Sequence, residues 1–185
     1  MATYVFNVFK DLLANGYIHL DDATRDGSSI AGDDVHNPLA NGVFKACFIQ
    51  PSSTLVSATT TNGAISDAVD IVTCDQITTL NELDRTNYTP MASGNETDTD
   101  LGSLTLTKVA GVSGYTKWDA ADITVVSVAA GQDINGILVV WDKNTGSTAL
   151  STKVPLVWIG LDSDISTNGG NITINWASTG IAQIS

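Results

Sequence analysis

Few residues in this chain are suited to chemistry. Histidine occurs twice. His19 stands between Ile18 and Leu20, a setting for a structural imidazole, and His36 lies in an acidic stretch as an exposed loop residue. Cysteine also occurs twice, at Cys47 and Cys74, each within a segment expected to be a strand. Two such thiols read as small buried hydrophobes in a reducing compartment. A disulfide between neighbouring strands is the alternative, and two thiols without further ligands make a poor metal site. No GxSxG, HExxH, CxxC or phosphate-loop pattern occurs. Asn168-Gly169-Gly170 connects expected strands instead of opening a helix, so it reads as a turn. These residues assign no catalytic role and no cofactor, and the chain is not expected to be an enzyme.

Two further groups could bind something. The stretch 21–41 is acidic, and Asp22, Thr24, Asp26, Gly27 and Asp33 fall at positions of the calcium-binding loop. Asp33 is one methylene shorter than the bidentate Glu that closes such loops, and no helix pair flanks the stretch. A solvated acidic loop without metal is therefore favoured, with calcium on Asp22, Asp26 and Asp33 as the alternative. Trp118, Trp141, Trp158 and Trp176 all lie in the C-terminal half. They read first as core, with a sugar-stacking platform or a subunit interface as the other options.

The elements that must position these residues are mostly strands. Val5, Phe6, Phe9, Leu12 and Leu13 form one apolar stripe at helical spacing, with Thr3 as N-cap and Asn15-Gly16 as the stop, which predicts a helix within residues 1–16. That stripe packs on its own domain, the favoured reading, or docks on a neighbour through Phe6, Phe9 and Leu13. Strands are expected over 42–50, 68–74, 103–109, 123–128, 136–141, 154–159, 171–176 and 181–184, with a helical turn at 77–83. In 103–109, apolar Leu104, Leu106 and Val109 alternate with Thr105, Thr107 and Lys108. Asn62-Gly63, Asn135-Gly136, Asn144-Thr145-Gly146 and Asn168-Gly169-Gly170 read as turns. The expected fold is a single antiparallel β-sandwich over residues 1–185, with a short N-terminal helix, an acidic insertion at 21–41 and a polar insertion at 52–67.

Composition narrows the partners. The chain has 185 residues, of which 43% are hydrophobic and only 15% charged, enough apolar content for one core. Twenty acidic residues against eight basic ones give a formal net charge of −12. Such a chain is a poor ligand for nucleic acid or for an anionic membrane surface, both of which require Lys and Arg. No secretory signal or long apolar span is evident, so synthesis in a cytoplasm as a soluble protein is expected.

Several segments, taken in order, carry a likeness. They are Tyr4–Gly16 running into Ile18-His19-Leu20, then Leu80–Leu83, Asn87–Pro90 and Trp118–Thr124. Ile137–Gly146, Pro155–Ile159, Asn168–Trp176 and Gly180-Ile181 complete the series. Together they resemble a group of small virion structural proteins of tailed bacteriophages. The chain departs from the group in its two insertions, and Ile159-Gly160-Leu161-Asp162 replaces a DFG triplet usual there. The resemblance implies a virion protein without catalytic residues. The favoured role is a capsid decoration or cement protein on the outer head, a homo-oligomer, with a trimer favoured, whose partner is the major capsid protein or another virion protein. The alternatives are a tail or head–tail junction component and a glycan-binding module.

Overall fold

The computed structural model describes residues 2–14, 18, 20, 42–53, 71–77, 79–83, 100–108, 115–125, 128–143 and 147–184. Their architecture is mainly β, with antiparallel sheets and one short helix near the N-terminus. The central pair is β6 (Asp133–Asp142) and β7 (Lys153–Ser166). Each contains a nearly unbroken apolar run, Ile137–Trp141 and Val154–Ile159, which marks a strand buried on both faces. With β1 (Ala2–Val5) and β2 (Val43–Ile49) they form a four-stranded sheet in the order β1-β7-β6-β2. A second sheet joins β3 (Thr105–Lys108), β4 (Thr116–Asp119) and β9 (Ala182–Ile184) in that order. Strands β5 (Ile123–Val125) and β8 (Ile172–Ile174) make a small third sheet.

The N-terminal helix is shorter than its stripe suggests. Residues 2–5 pair with Gly160–Val157 of β7, and the Phe6 N–H still donates to the Leu156 carbonyl at 3.0 Å. The helix, α1, therefore runs only over Asn7–Ala14, and Thr3 is a strand residue, not a cap. Thr3, Tyr4 and Val5 favour extended backbone, and an open edge of β7 was there to receive them. From Phe6 onward the helical spacing holds: Val8, Phe9 and Leu12 are buried, whereas Asn7, Lys10 and Asp11 face outward.

Two irregularities shape the central pair. The register slips between Val139 and Val140 opposite Pro155, which has no N–H to give the ladder and so belongs at a bulge. It slips again between Ile134 and Gly136, where Leu161–Asp164 face the single residue Asn135. Asn135-Gly136 is thus not a turn but lies inside β6. Gly136 is needed there because the indole of Trp158 lies directly over it, and an added Cβ would collide with that ring and come within 2.6 Å of the Ile159 carbonyl.

Other expected elements also differ. Cys74 sits in a 3-10 turn, Cys74–Gln76, and residues 71–73 are not strand; 68–70 lie outside the described residues. The Gln76 side chain accepts from the Val72 and Thr73 N–H groups at 2.6 and 3.2 Å, which fixes that turn. Residues 79–83 are not helical, because their backbone is drawn to the edge of β2: Leu83 N–H donates to Phe48 O at 3.1 Å and Gln50 N–H to Asn81 O at 2.8 Å. Leu101 N–H donates to Phe44 O at 2.8 Å, so β2 is covered along both halves of its outer edge. At β3 the alternation does not bury a face: Leu104, just before the strand, is partly buried and Leu106 is 44% exposed, while Val109 lies outside the described residues. The turn at Asn168-Gly169-Gly170 is present, with Gly169 at φ +87 and the Asn168 side chain accepting from Gly170 N–H at 3.0 Å.

One core joins the sheets. Trp118 of β4 packs its ring against Phe9 of α1 (centroids 5.7 Å) and edge-on against Phe44 of β2 (5.4 Å). Its indole N–H donates to the Leu20 carbonyl at 2.9 Å, which ties the segment after α1 to the same core.

Candidate functional site

The unusual chemistry of this protein is internal. Among the described residues, three lysines, Lys45, Lys143 and Lys153, are buried, in a chain with eight basic residues. Lys45 lies on β2 between Phe44 and Ala46, with its Nζ 2.6 Å from the carboxylate of Asp100, which crosses the strand edge as an isolated bridge. Lys153 and Asp142 are directly opposed on β7 and β6, with Nζ 3.2 Å from Oδ1 and both side chains fully inaccessible. Lys153 Nζ also donates to the Ser147 carbonyl at 2.8 Å and to Thr152 Oγ1 at 3.4 Å.

The two thiols lie in the same interior. Both Cys47 and Cys74 are free and fully buried. Burial holds the Cys47 thiol well above its ordinary pKa, and the charge of Glu82 and the neighbouring Cys74 push further the same way. The Cys74 thiol is raised by burial and then by Glu82, against a smaller opposing pull from Lys153. Both are therefore protonated near neutrality and poor nucleophiles. Among the described residues, no group of three or more His, Cys, Asp or Glu is arranged to hold a metal.

The remaining sequence candidates fall in three places. Phe6 and Phe9, considered as contacts for a neighbouring subunit, are 2% and 1% exposed within the chain's own core, so they are not available to one; Leu13 is half-buried against it. Trp118, Trp141 and Trp158 are buried to 1% exposure or less, so none can stack a sugar. Only Trp176 is partly accessible, and its indole N–H donates to the Ala121 carbonyl at 3.0 Å. His19, His36, Asp22, Asp26 and Asp33 lie outside the described residues.

Sequence reading missed the buried ionic groups. A signal was present: Lys45 interrupts an apolar run, and Lys153 opens one directly opposite the run that ends at Asp142. A lysine in such a run must be paired.

With these cations withdrawn, the described surface is acidic. Asp11, Asp75, Asp122, Asp133, Asp162 and Asp164 are exposed. The outer half of β7, Asp162–Ser166, is solvent-facing and includes Ile165 at 52% exposure. Among the described residues, no helix is long and apolar enough to cross a membrane. Comparison of the chain with protein-family models, curated proteins and solved structures gave no match.

Proposed function

We propose that this chain is a structural protein of a bacteriophage virion, most specifically a decoration or cement protein on the outer head. The observation that carries the reading is where the resembling segments fall. They overlap the second halves of β1 and β4, α1, most of β5 and β6, the buried half of β7, and β8 with the turn before it; Leu80–Leu83 and Gly180-Ile181 lie between elements, and Asn87–Pro90 lies outside the described residues. The likeness thus follows the framework of the fold, and the acidic and polar insertions are the parts left to specify a particular shell.

The physical properties suit that role. The two thiols are protonated, buried Lys45 and Lys153 are paired with Asp100 and Asp142, and three of the four tryptophans fill the core. A rigid β module with an acidic exterior stays soluble as free copies. On a lattice it gains avidity by touching several subunits at once. The partner is the major capsid protein, and a trimer of this chain would match a local three-fold position.

Binding to heads separates this role from others. Purified protein should co-sediment with undecorated expanded heads and raise their resistance to heat, and should not bind free capsid subunits comparably. Equal binding to free subunits, with no gain in head stability, contradicts the cement role.

A further inference from the structure

The Lys153–Asp142 pair is poorly explained as a stabilising salt bridge. Taking both ions out of water costs several kcal/mol for each, and a well-packed apolar pair of similar volume commonly serves a fold as well or better. Yet the chain, with only eight basic residues, places one here at zero exposure. The two residues are cross-strand partners at the closed end of the β6–β7 pair, so the strands hold Nζ and the carboxyl group together. Two reactants fixed in this way react as if at very high local concentration.

We propose that Lys153 and Asp142 form an intramolecular amide cross-link between β6 and β7. The reaction starts with one proton passing from the Lys153 ammonium to the Asp142 carboxylate across the 3.2 Å contact. A neutral amine then faces a neutral carboxylic acid. The Nζ lone pair attacks Cγ, the C–OH bond breaks, and the hydroxyl leaves with an amine proton as water. Nothing is oxidised or reduced. The product nitrogen keeps one hydrogen, and the Ser147 carbonyl, 2.8 Å from Nζ, is placed to accept it.

The test is the mass of the isolated, denatured full-length chain, and it does not depend on the virion reading. The wild-type chain should weigh one water less than its sequence requires, and digestion should release a branched fragment joining the Asp142 and Lys153 peptides. Lys153→Met, which fills the same space without an amine, should have its full mass. A wild-type chain of full mass overturns the proposal and leaves an ordinary buried ion pair. A one-water deficit that persists in Lys153→Met also overturns it, because the dehydration then lies elsewhere, such as a succinimide at an aspartate.

Discussion

Phe9 shows how a single side chain ties this molecule together. It is 1% exposed and meets Trp118, which in turn meets Phe44, so one ring links the helix to both larger sheets. Phe9→Ala should destabilise the isolated protein by about 3–5 kcal/mol, read by denaturant melting. An unchanged midpoint would mean that the ring is not in the chain's own core. The thiols make a second prediction at this scale. Their folded pKa values lie above the unfolded value of about 8.5, so the folded state holds protons that the unfolded state releases above that pH. Their contribution is fully present below about pH 8.5 and is lost as pH rises toward the folded values. Stability should fall from about pH 8.5 upward, and less steeply in a Cys47→Ala/Cys74→Ala variant. Equal slopes in the two proteins would show that the thiols are not what titrates.

At the scale of elements, β6 and β7 were legible because a run such as Val154–Ile159 has no other comfortable place than between covered faces. The start of α1 was not. Val5 and Phe6 fit a helical stripe, yet Thr3-Tyr4-Val5 also fits a strand, and the edge of β7 decided between them. Asn135-Gly136 misled for a related reason: the pair is a turn signal locally, but Gly136 answers to Trp158 on the neighbouring strand, a contact that spacing cannot show. Residues 79–83 likewise took their conformation from β2 and not from their own periodicity. Of the candidate sites, three of the four tryptophans and both cysteines read correctly as core, whereas the buried lysines required knowing which strands face each other. The Gly136–Trp158 fit should appear as coupling. Gly136→Ala should cost about 1–3 kcal/mol through overpacking. In a double-mutant cycle with Trp158→Leu, that cost should shrink, because the smaller side chain leaves room for the methyl group. Strict additivity would show that the two sites do not touch.

For the whole molecule, charge and architecture point the same way. A net charge of −12, with three lysines withdrawn into the interior, gives free copies a mutual repulsion that the proposed assembly would have to overcome through specific contacts. Attachment to heads should therefore strengthen as salt rises from low to physiological levels if the capsid exterior is also acidic, and weaken if that surface is basic. The most direct measurement of the central claim is a density map of the virion that carries this chain. A decoration protein would appear as many copies of the β module over the outer head, grouped at local three-fold positions and bridging neighbouring capsid subunits. Density confined to the tail or to the head–tail junction would contradict the decoration role, and absence from the particle would contradict the virion reading as a whole.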